Sequence, residues 1–122
     1  MRPLVVIDAA NVVGSVPDGW WRDRAGATAA LRDRLDPAAL QRLLGSAEPP
    51  ELVMVVEGKA RGVTGTDRVR VVAAPRSGDD TIVDVVASEG TDRPCVVVTA
   101  DRELTTRVRA LGADVLGPRS VR

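Results

Sequence analysis

Residues 3–8, PLVVID, decide how this chain reads. The apolar residues Leu4, Val5, Val6 and Ile7 follow a proline and run without interruption into a carboxylate, Asp8. A short run of this kind, with no polar alternation, suits a strand covered on both faces, and so a parallel sheet between helical layers. Similar runs recur at 51–57 (ELVMVVE), 68–74 (RVRVVAA) and 94–99 (PCVVVT), and a last short one lies at 113–117 (ADVLG). The run at 68–74 alternates in part, which places it nearer an edge.

Between these strands the apolar spacing is helical. Ala27, Leu31 and Leu35 are in register. Asp36-Pro37 then breaks and restarts the helix, with Asp36 as N-cap and Pro37 at the first helical position. Leu40, Leu43 and Leu44 give the second piece its stripe, and Gly45 can cap its end. Further helices are predicted over 79–89 and 102–111; the latter is ended by Gly112. Residues 9–21, holding Gly14, Pro17 and Gly19, are expected to form a loop, as is the basic stretch GKARGVTG after Glu57. The order β-α-β-β-α-β-α-β predicts an α/β three-layer sandwich with a mainly parallel central sheet of about five strands. The 122 residues are expected to form one domain, 1–122, which buries roughly 65% of its unfolded surface.

Composition narrows the chemistry. Lys plus Arg is 17 and Asp plus Glu is 17, so the net charge is 17 − 17 = 0 and any anion must be held by a local patch. The chain has no His, which excludes imidazole as base, acid or metal ligand. Its one cysteine, Cys95, allows no internal disulfide or Cys-rich metal site, and inside a strand it reads as inert core. With no Tyr or Phe, stacking rests on Trp20 and Trp21. No run approaches a membrane span, and Asp8 interrupts the N-terminal apolar run too early for a signal peptide, so a cytoplasmic protein is expected. Enzymatic chemistry here would have to use carboxylates, hydroxyls, Arg or Lys, with a metal or cofactor.

The acids fall in a pattern. Asp8 and Glu57 end strands one and two, Asp101 lies just past the fourth strand, and Asp79 and Asp80 open the helix after the third. All belong to the carboxyl edge of one sheet, where open α/β sheets bind ligands at a switch in strand order. Asp79 shares a helix face with Ile82, Val83 and Val86, which aims it toward the strand tips. Asp80 and Asp84 form an i, i+4 like-charge pair that a nearby cation would offset. Structural roles compete with the functional one: Asp79 or Asp101 can be a helix cap, and Glu57 can pair with Lys59 or Arg61. Clustered carboxylates without His make a hard oxygen site, suited to Mg²⁺ or Mn²⁺ and to phosphodiester hydrolysis.

The motifs resemble a known family. VVIDAANVV, with Asp8 and Asn11 as D-x-x-N, resembles the opening motif of NYN-domain nucleases of the PIN-like fold. VVEG at 55–58, SGDDTIVDVV at 77–86 and VVVTADRE at 96–103 resemble, in order, the strand ends and helix start of the YacP-like branch. The resemblance implies a metal-dependent endoribonuclease using Mg²⁺ or Mn²⁺. It maps the metal acids to Asp8, Asp79 (or Asp80) and Asp101, puts Glu57 at a less constant acid, more often Asp in that branch, and makes Asn11 a positioning residue. The implied partner is RNA, single-stranded or structured.

Other residues are candidates for holding that substrate. Trp20, Trp21 and Arg22 form a lip able to stack a base and bind phosphate; the competing reading is a helix-edge cover or dimer contact. Lys59, Arg61, Arg76 and Arg102 lie near the acidic edge and can meet phosphates, or be solvated surface charge. Ser77-Gly78 can offer backbone N–H groups to a phosphate, and Thr99 can contact a metal-bound water. A homodimer would pool two small basic patches. Two other functions stay open: a nucleotide pyrophosphohydrolase, and a non-catalytic PIN-like binding or scaffold domain. LVMVVEGKAR also looks like a toprim strand end, but no later Asp-x-Asp follows, and no G-x-G-x-x-G marks a dinucleotide site.

Overall fold

β1 (Leu4–Asp8) is the spine of the molecule: its first four side chains are fully buried. The computed structural model describes residues 1–122. β1 lies at the centre of a five-stranded sheet with β2 (Glu51–Val56) on one side and β4 (Cys95–Val98) on the other. β3 (Val69–Ala73) and β5 (Asp114–Leu116) form the edges, in the order β3-β2-β1-β4-β5. Every pairing is parallel, with Val6 opposite Val53 and Val97 at the centre.

Alternation along the strands divides the core in two. Val5, Ile7, Leu52, Met54 and Val98 face one side, where Val12, Leu31 and Leu40 pack from α1 (Ala9–Gly14), α2 (Arg24–Arg34) and α3 (Pro37–Leu44). Leu4, Val6, Val53, Val55 and Val97 face the other, against α4 (Gly78–Glu89) and α5 (Arg102–Arg109). The result is the expected three-layer α/β sandwich, and its sheet is wholly parallel. No helix is long and apolar enough to cross a membrane.

Local chemistry explains the helix ends. Asp36 caps α3 through the Ala38 N–H and Pro37 occupies the first turn. Gly45 and Gly112 take positive φ, 64° and 92°, beyond α3 and α5, a region costly for other residues.

One segment departs from expectation. Residues 9–21 are not a loop: α1 begins at Ala9, directly after β1, and a 3₁₀ turn covers Trp20–Arg22. The reason lies in AANVV, where Ala9 and Val12 are buried one helical turn apart and no breaker occurs before Gly14. The glycines and proline beyond Val13 had masked this short helix.

Two substitutions test the layering. Ile82 is fully buried between α4 and the sheet, so Ile82→Ala should cost ~2–5 kcal/mol in urea unfolding. Leu43 is 55% exposed on α3, and Leu43→Ala should change stability by no more than about 0.5 kcal/mol.

Candidate active site

The strand order reverses direction at β1 and β4, the topological switch of the sheet. Asp8 ends β1 there, and Thr99 immediately follows β4. Asp8 also caps α1, so the carboxylate is fixed by both elements. Its Oδ2 accepts a hydrogen bond from the buried Thr99 hydroxyl at 2.8 Å, and its Oδ1 accepts from the Asn11 N–H at 3.4 Å. Thr99 Oγ1 in turn accepts from the Asp101 N–H at 3.1 Å. Asp101 caps α5, its Oδ1 accepting from the Leu104 N–H at 2.9 Å. One hydroxyl thus bridges Asp8 to Asp101 across the switch point.

Asn11 holds the same loop from the opposite side: its Oδ1 accepts from the Ala100 N–H at 2.8 Å. The family resemblance implied a positioning role for Asn11; what it holds in the structure is the β4–α5 connection. Glu57, just past β2, accepts a hydrogen bond from the Gly78 N–H at the start of α4. A Cβ at Gly78 would lie 3.0 Å from Glu57 Oε2, a tight contact to which the carboxylate would have to yield by a few tenths of an ångström. The N–H expected to meet a phosphate therefore serves the chain's own carboxylate. Ser77 caps α4 by accepting from the Asp79 N–H at 3.2 Å.

Asp80 stands apart from the other candidate acids. It is exposed and pairs with Arg107 on α5 at 3.0 Å. Arg107 is the cation that offsets the Asp80–Asp84 repulsion. Asp79, one position earlier, is half-buried and forms no ion pair.

The electrostatics bind the remaining acids into one group. Burial pushes the Asp8 carboxyl up to about 6, against the two hydrogen bonds it accepts, and the charges of Asp79 and Glu57 push the same way. Asp79 is raised too, first by desolvation, then by the charges of Asp101 and Glu57, with Arg107 opposing. None of Asp8, Glu57, Asp79 or Asp101 lies within ion-pair distance of Lys or Arg. The opposite edge of the sheet is built differently: Glu51 pairs with Arg93 at 3.0 Å and with Arg70 at 3.9 Å.

All-oxygen donors of this kind fit a hard divalent cation chemically. Their spacing is open: no three acids converge closely enough here to enclose an ion. A hydrated Mg²⁺ or Mn²⁺, which keeps several waters and needs only one or two carboxylates directly, is the form of ion that such an open set would take.

The remaining candidates divide. Trp20 and Arg76 line a cleft of about 400 Å³ that also contains Glu57 and Gly58. Trp21 stands outside it, 55% exposed, with the Arg22 guanidinium over its ring at 5.8 Å. Lys59 and Arg61 are exposed around the 3₁₀ turn Gly58–Ala60, and Arg61 Nε donates to the Gly58 carbonyl at 3.3 Å. Arg102 is exposed beside Asp101. Cys95 is buried, and burial pushes its thiol up, as expected for an inert core residue. Sequence reading missed Arg107 and the contact of Gly78 with Glu57. Only the Ser77-Gly78 pair carried a signal, a helix start after a small residue.

No family model matches this chain, and no curated protein matches it in sequence. Solved structures do. Rae1 (YacP) from Bacillus subtilis superposes with a TM-score of 0.71 at 17% identity, over 96% of this chain and 70% of that one. A tryptophan-to-leucine mutant of the same protein superposes with a TM-score of 0.73 at 17% identity, over 99% and 72%. This chain therefore has a YacP-like fold.

The raised Asp8 carboxyl has a stability consequence. An acid that holds its proton more tightly when folded favours the native state most below its unfolded value, 3.8, and loses that advantage as pH rises through about 6. The two limits differ by roughly 3 kcal/mol. In chelator, Asp8→Asn should therefore exceed wild type in urea resistance above pH 7. The gap should close as pH falls to 4, which parallel denaturation series would measure.

Proposed function

We propose that this protein is a metal-dependent ribonuclease that hydrolyses RNA phosphodiester bonds at the carboxyl edge of its sheet. The observation that carries this reading is the counter-ion asymmetry. Four acids at the carboxyl edge have no lysine or arginine within ion-pair distance, only the more distant charge of Arg107 acting on Asp79, whereas Glu51 at the far edge pairs with two arginines. Gathering carboxylates without a cation costs stability, and a bound divalent ion offsets it. The D-x-x-N, Asp-Asp and Thr-x-Asp-Arg motifs and the YacP-like fold support the same reading.

Asp8, Asp79 and Asp101 would hold a hydrated Mg²⁺ or Mn²⁺, one or two of them directly and the rest through its water shell. When bound, such an ion polarises the phosphate and acidifies a water. The chain's own residues supply position. Thr99 orients Asp8 and ties it to Asp101. Asn11 holds the Ala100 backbone, so the Thr99–Asp101 loop keeps one shape. Glu57, anchored by Gly78, adds negative charge at the side of the cluster. Arg76, Lys59 and Arg102 are exposed around this edge and available to RNA phosphates. The proposed setting is the cytoplasm, with RNA as partner and a homodimer as the assembly that would double the basic surface.

Cleavage of a panel of single-stranded and structured RNAs with Mn²⁺ tests the reading. Wild type should cut, and chelator, Asp8→Asn or Asp101→Asn should abolish cutting. Thr99→Val should lower the rate ~10–100-fold, the usual effect of losing a group that orients a ligand. Intact RNA throughout would sink the proposal; release of pyrophosphate from free nucleotides would favour a pyrophosphohydrolase instead.

Metal should also act without substrate. Millimolar Mn²⁺ should raise the melting temperature of wild type, and Asp79→Asn should blunt the rise.

A further inference from the structure

The cleft beside the acids shares Glu57 and Arg76 with the hydrolysis described above, but its apolar floor and its indole have no role there. Its volume is about 400 Å³, within the range of small-molecule sites. Its floor is apolar, made by Ala9, Val13, Val56 and Ala60. One wall is Trp20, half-buried, with the Arg24 guanidinium over its ring at 5.3 Å. Arg76 and Glu57 supply its other charged groups.

Each feature points to one ligand chemistry. An apolar cleft with one indole wall, itself backed by a guanidinium, suits an unstacked nucleobase, with stacking worth ~1–3 kcal/mol per base. The chain has only two aromatic residues, and one of them is in this slot. Two arginines, Arg24 and Arg76, line the same cleft and can meet the phosphates beside a base. Glu57 has its Oε2 engaged by the Gly78 N–H, which leaves Oε1 to accept from an exocyclic amino group. Uracil, whose single N–H lies between two carbonyl oxygens, matches a carboxylate poorly.

Position connects the slot to the acids. Ala9, in its floor, directly follows Asp8, and Glu57 belongs to both the slot and the coupled acid group. We propose that this cleft is a base-binding subsite, which takes one flipped-out, amino-bearing base of single-stranded RNA and so places the adjoining phosphate at the acids. The proposal rests on the ribonuclease reading for its substrate but makes a prediction of its own.

Trp20 can report on it directly. With no Tyr in the chain, a Trp21→Phe variant leaves Trp20 as the sole indole. In chelator, where no hydrolysis occurs, cytidine 5′-monophosphate should quench its fluorescence saturably. Uridine 5′-monophosphate should bind several-fold more weakly, and ribose 5-phosphate should leave the signal unchanged. In the same reporter, Ala10→Leu narrows the cleft from its exposed rim and should weaken cytidine 5′-monophosphate binding several-fold with the melting temperature unchanged. Arg76→Ala, at an exposed position that carries no core contact, should also weaken it, so the test survives a folding defect in Ala10→Leu. Glu57→Gln should erase the preference for cytidine over uridine. A flat titration, or an equal response to ribose 5-phosphate, would overturn the subsite. RNA cleavage with a silent Trp20 rejects the subsite and keeps the ribonuclease; saturable base-dependent quenching with intact RNA keeps the subsite and rejects the ribonuclease.

Discussion

A carboxylate at the tip of the most deeply buried strand organises this molecule. Asp8 cannot retreat into water, because β1 is flanked by β2 and β4 and covered by helices on both faces. It is held instead by one hydroxyl and one backbone N–H, neither of which neutralises its charge. Thr99 carries the constraint onward to Asp101, and Asn11 locks the loop between them. The ends of β1 and β4, and the starts of α1 and α5, are therefore coupled through three side chains. A change at any one of them shifts the others.

The two edges of the sheet show how differently the same residue types can be used. At the amino edge, Arg93 donates to the carbonyls of Arg2 and Pro3 and pairs with Glu51, joining the segments that lead into β1, β2 and β4. Arg70 bonds Glu89 nearby. Charge there is matched, and the contacts serve the fold. At the carboxyl edge the acids repel one another, and the nearest pairing, Asp80 with Arg107, takes one acid out of the group. Stability is lowered where a ligand would restore it, a common arrangement at functional sites.

The cleft adds a second gradient. Moving from Asp8 along α1 toward Trp20, the surface changes from carboxylate to apolar wall to guanidinium. For the proposed RNA ligand the apolar wall and the guanidinium are complementary as they stand, and the carboxylates become so through a bound cation. The chain as a whole has no net charge, so recognition of this kind depends on local order rather than on long-range attraction.

Much of this was legible in the residues. Uninterrupted apolar strands specify a sheet buried on both faces, because no polar side chain is available to face water; the layers and the parallel pairing follow from that. The identity of the acids, and their place at strand ends, followed from the same runs. The helix at Ala9–Gly14 was hidden, since its short apolar face competes with nearby Gly and Pro in any local reading. Asp79 and Asp80 are adjacent in sequence, and that Asp80 alone pairs with an arginine depends on where α5 packs. Glu57 finding Gly78, and Trp20 rather than Trp21 lining the cleft, likewise depend on segments distant in sequence. Local pattern sets which face of an element is apolar. Which charges end as neighbours is set by how the elements cross, and that is a property of the assembled sheet.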